Sequence, residues 1–321
     1  MTENQYVYAV ARIRSKEMSL LSGSFLEQLL SAKSLKDCMQ LLREKGWGDE
    51  GSEPEEMLAG EREKTWNLIR ELAGDQRAFD VFLYANDYHN LKAAIKEAKM
   101  PYEYPGIYTS QGTVDLKTIK EAVRTREFSL LPESMQGVAR EAYDVFMQTG
   151  DGQLCDVILD RAALEAVYRE ASASKNDCIQ MYGELTVAAA DIKTAVRGER
   201  TGKKKEFFLR AMAPCKSLDV EELAQAAAQG QEAIESYLNA TDYGQAAEEL
   251  KKSPSAFERW CDNLMIRTIR PQRFNPFGLG PLAAYILARE NEIKSVRIVL
   301  SGKRSGLPEE SIRERVREMY V

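Results

Sequence analysis

Histidine is almost missing from this sequence: His89 stands alone among 321 residues. The five cysteines, Cys38, Cys155, Cys178, Cys215 and Cys261, are far apart and never form a CxxC pair. A His/Cys zinc site therefore has no clustered donors, and an odd, dispersed set suits reduced thiols better than a disulfide framework. Ser-His-Asp catalysis would have to run through His89, and no GxSxG turn is present to carry a nucleophile. His89, in "NDYHNLK", is read as a polar residue on a helix.

Phosphate-binding loops are lacking too. "GERTGKK" at 198–204 has the outline of one, but only three residues separate Gly198 from Gly202, and Lys204 occupies the magnesium-binding Ser/Thr place. A helix C-terminal stop with basic residues is the better account. "FGLGPL" holds only the first pair of a GxGxxG. No cofactor is expected. Long apolar runs are missing as well. "FNPFGLGPLAAYILA" at 274–288 falls short of the roughly 20 residues of a membrane span and is broken by Pro276 and Pro281. The opening "MTENQYVYAVARIRSKE" has no continuous apolar stretch, so no signal peptide is expected, and "NAT" at 239–241 then carries no glycan. Twenty glycines and ten prolines are too few for a fibrous or disordered chain.

The net charge of -6 excludes a general nucleic-acid binder, which needs a basic footprint. The charge is uneven. Residues 251–321 hold 14 Lys and Arg against 8 Asp and Glu, whereas the first 250 hold 30 against 42. The basic end is suited to an acidic partner or is simply a solvated face. Glu-rich runs, "EEMLAGEREKTW" at 55–66 and "ARENE" at 288–292, are read as solvated helix faces.

What the chain does contain is helical periodicity. Met18, Leu21, Phe25 and Leu29 step at three and four, and Leu154, Val157, Ile158, Arg161, Leu164 and Tyr168 repeat the pattern. Gly46, Gly48, Pro101, the "TGDG" at 149–152 and Pro271 mark helix ends, and Pro308 with Glu309 and Glu310 marks a fresh start. The fold class is all-α, with a short extended segment expected within 102–115.

The same helix ending is written twice. "IKTAVRGERTG" at 192–202 and "VRIVLSGKRSG" at 296–306 share Gly198 with Gly302, Arg200 with Arg304 and Gly202 with Gly306. "LKAAI" at 91–95 extends the series, at offsets of 101 and 104 residues. Upstream, Asp160 precedes Ile192 by 32 residues and Asp262 precedes Val296 by 34. A unit of about a hundred residues predicts three helical modules in tandem, at 1–115, 116–215 and 216–321.

Longer stretches carry a family resemblance from end to end. "YVYAVARIRSKEMSLLSGSFLEQLL" at 6–30, "YANDYHNLKAAIKEA" at 84–98, "LDRAALEAVYREA" at 159–171, "ADIKTAVRGERTG" at 190–202 and "PLAAYILARENEIKSVRIVLSGKRSGLPEESIRERV" at 281–316 are in order and spacing similar to the C subunit of the V/A-type ATP synthases, the counterpart of the d subunit in eukaryotic vacuolar ATPases. The segment "YEYPGIYTSQGTVDL" departs from that pattern.

The resemblance implies three similar helical-bundle domains around a pseudo-threefold axis, shaped as a funnel with a central cavity. It implies a non-catalytic rotor part on the cytoplasmic side of the membrane, joining the central axle to the ion-translocating ring and touching the bilayer only through that ring. Lys92, Lys193 and Arg297, with Arg197, Arg200 and Arg304 nearby, are then the candidate partner-interface residues, meeting acidic groups or helix C-termini. Ion pairing or solvation within the chain is their alternative role. Two other readings are a helical scaffold, whose repeats are normally about 20–50 residues, and a metal-dependent all-α enzyme built from distant carboxylates.

Overall fold

A computed structural model of the chain describes residues 6–74, 76–99 and 106–321. Among them there are sixteen α-helices and no β-strand, as the periodicity predicts. The helices are α1 (Val7–Glu17), α2 (Gly23–Ser31), α3 (Leu35–Glu44), α4 (Pro54–Ala73), α5 (Tyr84–Glu97), α6 (Leu116–Thr125), α7 (Glu133–Thr149) and α8 (Gly152–Ala173). They continue as α9 (Asp177–Arg200), α10 (Lys205–Ala211), α11 (Val220–Gln229), α12 (Gln231–Asn239), α13 (Gly244–Lys252), α14 (Pro254–Ile269), α15 (Gly280–Arg304) and α16 (Glu309–Arg313). No helix is long and apolar enough to cross a membrane.

Local chemistry sets the ends. Ser22, Ser34, Asp115, Asp151, Asp219 and Ser253 each accept a backbone N–H from the first turn that follows, which satisfies donors the helix cannot. The "TGDG" stop closes α7 on Gly150, at φ 71°, and Asp151 at once caps α8. Three expectations need adjusting. Pro308 sits at the N-cap of α16, one place outside the helix. Pro271 does not end the path abruptly, because Arg270–Phe274 continues as 3-10 helix after α14. Pro101 and residues 102–105 lie outside the described residues, and 106–115 form no strand.

The chain divides into two compact units. One comprises Met1–Gln76, Asn176–Cys178 and Glu248–Val321, the other Arg77–Lys175 and Ile179–Ala247. In the first, Leu29, Leu42 and Leu58 share one core with Val296, Val299 and Ile312, so the early helices pack directly on α15 and α16. In the second, Leu91 and Ile95 of α5 interlock with Ile119, Ala139 and Leu159 of α6, α7 and α8.

Both copies of the helix ending adopt one geometry. Gly202 and Gly306 take φ of 65° and 66°, conformations that glycine enters without a Cβ clash. The N–H of Lys203 donates to the carbonyl of Gly198, and that of Leu307 to Gly302, each at 2.9 Å. Gly202 and Gly306 donate one turn back in the same way, completing a Schellman cap at both ends. Gly198 and Gly302 matter for another reason. Phe208 presses on the first and Ile312 on the second, each ten residues downstream.

A second repetition lies in the middle of three long helices. Asn90, Asp191 and Ser295 are buried, polar and one place before the three aligned runs. Each accepts a backbone N–H from chain that returns after the helix. Thr109 donates to Asn90 at 2.9 Å, Ala213 to Asp191 at 3.1 Å and Arg317 to Ser295 at 3.3 Å. The separations are 19, 22 and 22 residues. A second polar side chain, one or two turns earlier, holds the returning segment a little further on. Asp87 accepts from Thr113 and Val114, Glu184 accepts from Lys216 and Ser217, and Asn291 donates to the Glu318 carbonyl. Moving back along the helix means moving forward along the tail, so all three segments run antiparallel to the helix they follow. The irregular 106–115 segment is one of them.

Adding a methyl at Gly198 places it 2.3 Å from the Phe208 ring, whereas at Gly302 it meets the flexible end of Ile312 at 2.6 Å. Alanine gains about 1 kcal/mol of helix propensity, and overpacking a core ring costs about 1–3 kcal/mol. Gly198→Ala is therefore expected to lower stability by up to about 2 kcal/mol, and Gly302→Ala by less, in urea unfolding at neutral pH. A Gly198→Ala chain at least as stable as the parent contradicts this packing.

Candidate partner interface

Lys92, Lys193 and Arg297 each follow a tie residue by two places, so they leave their helices at matching points. Lys92 donates to Asp160 at 2.6 Å and joins α5 to α8. Arg297 forks onto Glu55, with Nη2 at 2.9 Å and Nε at 3.2 Å, and joins α15 to α4. Lys193 is half-buried and has no hydrogen-bond or ion-pair partner among the described residues. Arg197 and Arg200 are exposed and, at spacings of four and seven from Lys193, lie on its side of α9. Arg304, exposed in the last turn of α15, shares a small hollow with Arg297, Glu55 and Leu58. Three of the six are thus brought together on α9 and two at the end of α15. Lys92 stands apart from both groups, bound to Asp160.

The paired aspartates flagged by spacing also take ion pairs. Asp160 receives Lys92, and Asp262 receives Lys294 at 2.7 Å together with Arg317 at 2.8 Å. His89 is exposed on α5, within 2.8 Å of the Ile107 carbonyl. Among the described residues no group of three His, Cys, Asp or Glu side chains is placed to hold a metal ion.

The Glu-rich runs are not wholly solvated. Glu61 and Glu292 are buried, 4% and 1% exposed, on either side of buried Arg289. Arg289 donates to both carboxylates, at 2.6 Å to Glu292, and its guanidinium lies 5.0 Å from the Trp47 ring centre. Glu292 also accepts the Leu21 N–H. Burial pushes its carboxyl up to about 7 despite Arg289. Sequence reading misses this cluster because Glu61 and Arg289 are 228 residues apart.

Asp191 is the unusual tie. Its Oδ1 takes the Ala213 N–H, but Oδ2 is buried with no partner. Burial pushes its carboxyl up to about 7, against the pull of the Ala213 N–H and Arg161. The neutral residues Asn90 and Ser295 do the same work elsewhere without this cost. The signal for all three was present: a short polar residue directly precedes each apolar-cation run.

Comparison with known proteins gives a single family. A family model described as "ATP synthase (C/AC39) subunit" matches residues 9–315. The C subunit of the V-type sodium ATPase of Enterococcus hirae is 23% identical over 319 residues, covering 96% of this chain and 97% of that protein. The C subunit of the A-type ATP synthase of Methanocaldococcus jannaschii is 24% identical, covering 96% and 85%. The C subunit of the V-type ATP synthase of Thermus thermophilus is 23% identical, covering 98% of each.

The raised Asp191 pKa has a definite sign. The unfolded chain ionises this group near its ordinary 3.8, the folded chain only near 7. Folding is therefore unpenalised below about pH 4, loses stability as pH rises between the two values, and carries the full cost above pH 7, at most about 4 kcal/mol. Asp191→Asn is expected to raise the urea midpoint over the parent at pH 8, with the gap narrowing at pH 5. A gap equal at both pH values contradicts the assignment.

Proposed function

Because the chain belongs to the ATP synthase (C/AC39) subunit family, we propose that it is a non-catalytic rotor component of a V/A-type ATPase, joining the central axle to the membrane ion-translocating ring and passing torque between them. The observation that carries this reading is the span of the match: one family model covers residues 9–315, and the relatives are C subunits of rotary ATPases over nearly their whole length. Such a part sits on the cytoplasmic face, and its partners are the axle and ring subunits.

The packing supports the mechanical side of this reading. A coupling must not yield under tangential load, and close-packed helices deform little. Each long helix is further locked to its returning tail by two polar side chains, which resists shear along the helix axis. We read the threefold recurrence of this tie as the mark of three related modules, at 1–115, 116–215 and 216–321, arranged as a funnel around a shared cavity.

Of the candidate interface residues, Lys193, Arg200 and Arg304 are the freest to serve a partner, because among the described residues none of them has an intramolecular hydrogen-bond or ion-pair partner. Lys92 and Arg297 serve first as braces between helices, to Asp160 and Glu55. Arg197 extends the α9 face, and Arg304 offers a further cation at the end of α15. Acidic side chains or helix C-termini of the axle or ring are the chemistry these cations fit.

The chain is expected to co-purify with the axle and ring subunits when expressed with them. Lys193→Glu combined with Arg200→Glu is expected to weaken recovery of the axle about tenfold, equivalent to about 1.4 kcal/mol, without changing the melting temperature. Full recovery with the doubly reversed chain removes these residues from the interface, and failure of the parent chain to capture either subunit contradicts the coupling role.

A further inference from the structure

A cavity of about 410 Å³ opens in the first unit between α1, α4, α15 and the turn after α3. Its wall is lopsided in charge. Arg12, Lys16, Lys45, Lys64 and Arg289 face it, against the carboxylates of Glu61 and Glu71. Only part of that positive charge is neutralised within the chain. Lys64 is held by Glu61 at 2.6 Å and the Gly46 carbonyl at 2.9 Å. Arg12 reaches Glu71 only loosely, at 3.7 Å, and its Nε is enclosed without a partner. Lys16 has no ion-pair partner among the described residues. Lys45 rests over the Phe25 ring, 5.1 Å from its centre, and also lacks a carboxylate there.

The floor is more specific than a basic surface patch. Arg289 is 5% exposed, clamped in place by Glu61, Glu292 and Trp47, and its Nε is buried with no acceptor. Buried polar donors are ordinarily satisfied, so an enclosed one beside a cavity marks a place for an acceptor from outside the chain. Tyr285 and Thr65 add hydroxyls to the lining.

We propose that this cavity binds a small polyanion bearing phosphate groups. The unpartnered Nε–H of Arg289 and the loosely held guanidinium of Arg12 supply N–H donors for phosphate oxygens, and lysines on the rim supply further charge that adapts to the ligand. The volume falls in the range of small-molecule sites. An α-helix with side chains is about 10–12 Å across, too wide to be enclosed here, so a soluble phosphate compound or a lipid headgroup is favoured over a protein segment. The site lies within one unit and does not depend on the coupling role proposed above.

Isothermal titration of the full chain with inorganic triphosphate at low salt tests this directly. Saturable one-to-one binding is expected, weakening steeply as salt is raised. Lys16→Ala with Lys45→Ala, both rim positions outside the core, is expected to bind at least about tenfold more weakly with an unchanged melting temperature. A parallel arm with phosphatidylglycerol vesicles separates sources: triphosphate binding without vesicle binding assigns a soluble ligand, and vesicle binding that triphosphate competes away assigns a headgroup. Absence of both kinds of binding overturns the proposal. So does a double variant that binds as tightly as the parent, or a tricarboxylate that binds as tightly as triphosphate.

Discussion

A buried polar side chain in the middle of a long helix, holding the backbone that returns after it, is the constraint on which this architecture depends. A helix satisfies its own interior N–H and C=O groups, but the irregular segment beside it does not. Asn90, Asp191 and Ser295 supply the missing partner at three places, and Asp87, Glu184 and Asn291 supply a second. Each bond is worth about 1 kcal/mol net, while a buried group left unpaired costs about 1–3 kcal/mol. The asymmetry makes the tie a selector of register more than a source of stability: a tail displaced by one residue loses its partners on both sides.

Seen this way, the repeated glycines and the repeated ties are one device. The Schellman cap turns the chain at Gly202 and Gly306, the bare Gly198 and Gly302 let Phe208 and Ile312 lie close against the helix, and the tie catches the tail five residues after them. A helix ending of this kind needs glycine at two positions and a small polar residue at a third. Those demands explain why the chain writes the same outline twice and a looser version once.

Much of the fold was legible, and the reasons are local. Helix periodicity, caps and glycine stops act over three to five residues, so a single sequence displays them. The recurrence of Gly198 and Gly302 needed only a comparison of the chain with itself. What stayed hidden depends on distant partners. The runs around Glu61 and Glu292 look solvated because only the fold brings Arg289 between them. The division of Lys92 and Arg297 from Lys193 was equally invisible, since Asp160 and Glu55 lie 68 and 242 residues away in sequence. Asp191 adds a cost that its neutral counterparts avoid, and its position directly before an aligned run was the one available sign.

The central claim is that three returning segments are fastened alike. Amide hydrogen exchange at Thr109, Ala213 and Arg317 measures that fastening residue by residue. The account predicts all three amides to be strongly protected, opening only with their whole unit, although none lies within an α-helix. Exchange at any of the three as fast as in an exposed loop contradicts it.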